Sequence, residues 1–223
     1  MKKIFVLLSA ALISFSVFAN TAESSVDSDS EQAVSSYSEK SENVFVFNIH
    51  NARFGTSFDA GVCFGTLSNY IWQNMGLGLA GEYDLPVYLI GNSRPCISTR
   101  ITGSFNPPHT ELINYMWNIR SIVALSIRFP LGSSGWVLQP EIAYGLCFNF
   151  PHATEGYGNE LKTLYVDQML QIAFSVRWSS PDFLHEKFEL EACPCASISP
   201  EIENAAHYVG FRLGILYKFD VLF

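Results

Sequence analysis

The chain has 223 residues, 48% hydrophobic and only 15% charged, with a formal net charge of −8. That length suits one ordinary domain with a full core, and the charged fraction lies well below the roughly 25% of soluble domains. There is no basic excess to attract nucleic acid, and beyond the N-terminus no run of about 18 apolar residues marks a membrane helix, although alternating strands can still cross a bilayer.

The first element is an apolar run, "IFVLLSAALISFSVFA", preceded by Lys2 and Lys3 and ending in Val17, Phe18 and Ala19. Residues 1–19 therefore read as a secretory signal peptide with a small-residue cleavage site, the mature chain starting at Asn20. No cysteine follows that site, so a lipid anchor is not expected. Residues 20–43 hold eight serines, six acids and one lysine, the composition of a solvated, disordered acidic tail. Without Lys2 and Lys3 the formal charge falls from −8 to −10, and the tail carries −5 of it.

Residues 44–223 form the folded domain, and from Arg53 onward they divide into about eight alternating stretches. These are placed at 53–65, 75–88, 96–105, 118–130, 136–150, 164–178, 188–198 and 207–223. "VFVFNIH" (Val44 to His50) alternates with the opposite parity to the first strand, which implies a bulge or a separate N-terminal piece. Pro140 and Pro194 lie inside the fifth and seventh stretches, where a missing N–H suggests a bulge. Segments near 89–95, 131–135 and 179–187 read as turns at one end, and those near 66–74, 106–117, 151–163 and 199–206 as loops at the other.

Every stretch has the same division of polarity. In the last, Val209, Phe211, Leu213, Ile215, Tyr217, Phe219, Val221 and Phe223 share one face; Gly210, Arg212, Gly214, Lys218 and Asp220 share the other. Across all eight, the fifteen charges fall on the less hydrophobic face. A soluble barrel or sandwich would turn those charges to water. The inverse arrangement, a transmembrane barrel, accounts for two further features. The apolar face is large and branched or aromatic with no charge at all, as a lipid-facing surface requires. The charged face is rich in glycine, alanine, serine and cysteine, which suits a crowded lumen. The tryptophans agree: with odd strands running outward, Trp72 and Trp117 fall at the outer rim and Trp136 and Trp178 at the periplasmic rim.

The signal peptide, the strand count and the terminal "YKFDVLF" together resemble the small eight-stranded outer-membrane barrels of diderm bacteria, the OmpA-barrel, OmpX and OmpW type. The resemblance implies an all-β, closed, antiparallel up-and-down transmembrane barrel in the cell outer membrane. It also implies partners: outer-membrane lipid, periplasmic chaperones and the barrel assembly machinery. Tyr217, Phe219 and Phe223 stand where that machinery reads its aromatic C-terminal signal.

On this reading Arg53, Arg100, Arg120, Arg128, Arg177, Arg212 and Lys218 point inward against Asp59, Glu82, Asp84, Glu141, Asp167, Glu189, Glu191 and Asp220. Strand order sets Glu82 and Asp84 beside Arg100, Arg128 beside Glu141, Glu141 beside Arg177, and Arg177 beside Glu189 and Glu191. It sets the last two beside Lys218 or Arg212, and Asp220 beside Arg53. Desolvated charges must pair, so an ionic plug is expected in the periplasmic half. The outer half presents small residues, among them Cys63, Gly78 and Cys147, with Tyr165 and Tyr208 near the rim. These outline a cavity for a small, apolar ligand, or else they only relieve crowding. Cys63, Cys147, Cys193 and Cys195 point inward as small fillers, the last two badly placed to bridge each other.

No cofactor or metal signature emerges. "GLGLAG" (Gly76 to Gly81) matches G-x-G-x-x-G but lies within a strand with no helix after it, and "CPC" has no second cluster to complete a metal site. His109, His152 and His207 lie near outer loops without a nucleophile-and-base spacing, so an enzyme is not expected. Three functions remain: a narrow channel or carrier for small solutes, a closed barrel that meets host surface molecules or supports the envelope, and a soluble periplasmic lipocalin-like barrel.

Overall fold

A computed structural model describes residues 48–65, 71, 73–156, 162–179, 187–199 and 206–219. The signal peptide, the acidic tail, Trp72, Asp220 and Phe223 lie outside the described residues.

A short 3-10 turn, Ile49–Asn51, leads into eight strands: β1 (Ala52–Gly65), β2 (Gln73–Asp84), β3 (Arg94–Asn106), β4 (Ile113–Pro130), β5 (Trp136–Ala153), β6 (Tyr165–Trp178), β7 (Phe188–Ile198) and β8 (Ala206–Lys218). Each pairs antiparallel with its sequence neighbour, and β8 closes on β1. β1 begins and β8 finishes at the same end, called lower here. The expected stretches match these strands in number and order and differ at several ends: β2 starts at Gln73, β3 spans Arg94–Asn106 and β8 ends at Lys218, against expected bounds of 75, 96–105 and 223. β2 stops at Asp84 rather than at residue 88, because Pro86 follows; β4 starts earlier, at Ile113, and β5 runs on to Ala153.

Neither proline makes a bulge. The β5–β6 register runs unbroken through Pro140, and the β7–β8 register through Pro194. Each proline instead interrupts pairing on its other side, β4 for Pro140 and β6 for Pro194, and the ladder resumes in the same register. One missing donor therefore breaks two rungs without shifting the strand. The register does shift elsewhere, between Ile113 and Tyr115.

The registers also give the stagger of the barrel. Stepping across paired residues from Arg53 to Glu82, Ser98, Ala124, Ala143, Gln171, Ser197 and Tyr208 returns to β1 at Cys63, ten residues above the start. Ten residues at ~3.3 Å around eight spacings of ~4.8 Å tilt the strands by about 40°, within the range of small closed barrels.

Alternation places the two faces in opposite environments. Thirty-three large apolar side chains lie exposed among the described residues, such as Leu77 (72% exposed), Val123, Leu125 and Ile172, whereas thirteen charged ones are buried. Soluble monomers rarely expose apolar patches beyond a few hundred Å², and here the patch is the whole wall. The molecule is thus an outer-membrane-type barrel, apolar toward lipid and polar within. Trp117 packs edge-on against Phe105 at the upper rim, with ring centroids 5.2 Å apart. Trp136 and Trp178 meet at 6.3 Å at the lower rim.

Candidate functional site: the barrel lumen

The period-two alternation that turns Phe54 and Phe58 toward lipid turns Arg53 and Asp59 into the lumen, and the same holds on every strand. Leu216 shares the inward face of β8 and is 1% exposed. What the side chains do there is set by the bore, narrow enough for long residues to reach the opposite wall.

Arg177 on β6, wholly buried, is the hub of the lower half. Its Nη1 and Nη2 donate to the two carboxylate oxygens of Glu82, both at 2.6 Å. Nη2 also donates to Glu191 at 3.0 Å. Glu82 stands on β2, four strands away in a ring of eight, so this two-pronged pair crosses the full width of the barrel. Arg128 on β4 reaches Glu189 on β7 at 2.7 Å and Gln139 at 3.1 Å. Arg53 grips Asp84 at 2.5 and 2.7 Å. Arg212 donates twice to Glu191, both at 3.1 Å. Arg100 lies 3.7 to 3.9 Å from Glu82, Glu141 and Glu191, and Lys218 is 3.5 Å from Glu189.

Several of these partnerships differ from a strand-by-strand reading. Glu141 lies 3.6 Å from Arg212 and 3.9 Å from Arg100, while Arg128 turns from Glu141 to Glu189 and, at 3.6 Å, Asp84. Arg53 takes Asp84 and Glu82; its expected neighbour Asp220 falls outside the described residues. Adjacent-strand logic misses the Glu141 and Arg128 contacts because a guanidinium spans the bore as easily as it reaches the next strand, whereas Arg53 and Glu82 are register partners on β1 and β2.

Above the ionic layer, Asp59 accepts from the Thr102 hydroxyl at 3.1 Å and lies 3.5 Å from Arg120. The Arg120 guanidinium sits 4.8 Å from the centre of the Tyr208 ring.

The upper half contains an amide belt that sequence reasoning missed. Asn74 donates to Asn106 at 2.8 Å; Asn106 donates to Asn118 and, at 2.9 Å, to the Met116 carbonyl. Asn118 donates to Asn149, and Asn149 to the Asp167 carboxylate at 2.6 Å. The belt links β2 to β6, each amide passing its hydrogen bond to the next strand until an acceptor-only carboxylate ends the run. Its signal was the inward parity shared by all five residues.

This belt leaves little room for a ligand. Cys63, Cys147 and Tyr208 border a cavity of about 30 Å³, together with Asn74, Asn118 and Asp167. A second, of about 10 Å³, lies between Asp59, Arg100, Arg120 and Arg212. A water needs roughly 10–15 Å³ and ligand pockets run to about 300–1,000 Å³, so these spaces suit one or two waters. Gly78 borders neither cavity: a Cβ there would meet the Ser57 and Thr102 hydroxyl oxygens at 2.7 and 2.9 Å. Tyr165 also stays outside, its hydroxyl accepting from the Lys162 backbone N–H at 3.1 Å. The small residues around Tyr208 make room for it: a Cβ on Gly61 would come within 2.5 Å of that ring, and one on Gly210 would strike its hydroxyl.

Cys63, Cys147, Cys193 and Cys195 are buried in the lumen as free thiols, and Cys96 joins them. At the lower end, Tyr217 packs edge-on against Phe219 at 5.4 Å and against Phe188 at 5.3 Å.

No protein-family model matches the chain, and no curated protein matches it in sequence. Among solved structures it is similar to Neisserial surface protein A at 11% identity and a TM-score of 0.44, over 76% of this chain and 97% of that one. It is similar to Ail, the attachment invasion locus protein of Yersinia pestis, at 12% identity and 0.47, over 76% and 99%. The N-terminal β-barrel domain of Pseudomonas aeruginosa OprF follows at 12% and 0.39, over 75% and 98%.

Proposed function

We propose that the protein is an outer-membrane barrel with a closed lumen, whose role is carried by its surface: outer-membrane lipid around the belt, and host surface molecules or envelope neighbours at the upper loops. The observation that carries this reading is the Glu82–Arg177 pair across the bore, supported by the Arg128–Glu189 and Arg100–Glu191 contacts beside it. Moving such groups apart to pass a solute would strand desolvated charges, each of which costs several kcal/mol, on the order of 3–5 when one partner is lost. In the same reading, periplasmic chaperones escort the chain, and Tyr217, Phe219 and Phe223 present it to the barrel assembly machinery.

A channel or carrier for small, apolar solutes is the competing reading, and planar-bilayer conductance of the refolded chain from Asn20 onward separates the two. Silence in barrels shown to be inserted is expected. Discrete openings that grow when Arg128 or Glu141 is replaced by alanine would overturn the closed-barrel proposal and make the ionic layer a gate.

A further inference from the structure

The turn between β2 and β3 is unlike the other described turn at the lower end. Residues 131–135, "LGSSG", join β4 to β5 with one large side chain. Residues 85–93, "LPVYLIGNS", carry no charge and expose four consecutive large apolar side chains: Val87, Tyr88, Leu89 and Ile90, the last 87% exposed. Such a run in water is an interaction surface unless it is merely loose, and this one is tightly bonded. The Leu85 N–H donates to the Pro95 carbonyl at 2.9 Å, and the Leu89 N–H to the Ser93 carbonyl at 3.0 Å. Ser93 is 2% exposed; its hydroxyl donates to the Ile90 carbonyl at 2.7 Å and accepts from the Ile90 N–H at 3.1 Å. Gly91, at φ +63°, supplies the left-handed residue that reverses the chain.

We propose that this turn is a membrane-contact wedge, seated in the polar layer of the leaflet at the lower end of the barrel. Three observations choose lipid as the occupant. First, the patch borders the lipid-facing belt: Arg94 pairs with Arg128 in register, which puts the turn at the height of the exposed Phe129 and Leu131 on β4 and just after it. Second, the reach is right. The hairpin extends about four residues beyond the Leu85–Pro95 bond, which at about 40° of tilt is ~10 Å along the bilayer normal. That is of the same order as the ~5–8 Å polar layer on each side of the hydrocarbon. Third, Arg94 donates to the Tyr88 hydroxyl, with its guanidinium 4.3 Å from the ring centre. Such an amphipathic pair, apolar in body and charged at the tip, suits the headgroup level. The wedge rests on the barrel spanning a bilayer and is independent of whether the lumen conducts.

The test uses the full mature chain refolded into vesicles of phosphatidylethanolamine and phosphatidylglycerol, with a nitroxide attached at Ile90→Cys. Reference samples carry the label at Leu125→Cys, in the belt, and at Ser133→Cys, in the polar turn; an unsubstituted sample reports labelling of the five lumen thiols. Collision rates with oxygen and with a water-soluble nickel chelate are compared. The Ile90 label should shift from the Ser133 value toward the Leu125 value, and Val87→Asp with Leu89→Asp should return it to the Ser133 value. An Ile90 label as open to nickel as the Ser133 label would overturn the wedge and reassign the patch to a protein partner. A Leu125 label open to nickel would instead refute the membrane-spanning barrel itself.

Discussion

The two halves of the lumen fill the same kind of space with different chemistry. Below, Arg53, Arg128, Arg177 and Arg212 meet carboxylates across and around the bore; above, Asn74, Asn106, Asn118 and Asn149 hand neutral hydrogen bonds along the wall. The two differ in how damage spreads. Deleting one partner of a buried ion pair leaves an uncompensated charge in low dielectric, whereas deleting Asn74, Asn106 or Asn118 leaves only neutral groups short of hydrogen bonds, Asn149 alone touching a charge, the Asp167 carboxylate. The lower half is therefore the sensitive one and the upper half the forgiving one.

The largest expected effect tests that contrast directly. Arg177→Met should destabilise the barrel by about 3–5 kcal/mol in urea unfolding from lipid vesicles, because Glu82 loses both of its 2.6 Å bonds. A loss near zero would mean that water enters the lower half and solvates Glu82. A middle-sized effect belongs to the boundary between the halves, where Gly145 lies against β4. A Cβ there would strike the Ser121 carbonyl oxygen and come within 2.7 Å of the Ile122 Cα. Gly145→Ala should therefore cost about 1–3 kcal/mol by the same measurement, while Gly103→Ala, with open space around its outward Cβ, should stay within about 0.5 kcal/mol of the parent. The smallest of the destabilising effects is expected in the belt. Asn118→Ala should cost about 1–2 kcal/mol, since Asn106 keeps its 2.9 Å bond to the Met116 carbonyl and only the neutral Asn149 and, at 3.8 Å, the Cys147 sulfur lose a donor. An Asn118 effect as large as that of Arg177 would erase the contrast and make the belt a co-equal structural plug.

Much of the fold could be read from residue order because alternation is local. The inward assignment of Arg53, Glu82, Arg177 and Arg212 follows from the apolar parity of their strands, and all four are buried. The bulges expected at Pro140 and Pro194 do not occur, since a proline removes a donor on one side only and the opposite ladder holds the register. The amide belt is hidden from the sequence for a different reason. Asn74 and Asn106 lie just beyond the strand ends that alternation alone marks, and a neutral residue leaves no charge to count. The room for a ligand suggested by Cys63, Gly78 and Cys147 is taken by the belt and by the Tyr208 ring, whose size at position 208 was visible but whose direction over Gly61 and Gly210 was not.

The sequence by itself determined which face of each strand meets lipid and that eight strands are available to close, because a period of two and the cost of burying charge in hydrocarbon act within a single strand. The tertiary structure alone decided who pairs with whom inside. The ten-residue stagger sets the height of each inward side chain, and an eight-strand bore lets an arginine reach the far wall. Arg177 therefore pairs with Glu82, ninety-five residues away along the chain, a distance that no local pattern encodes.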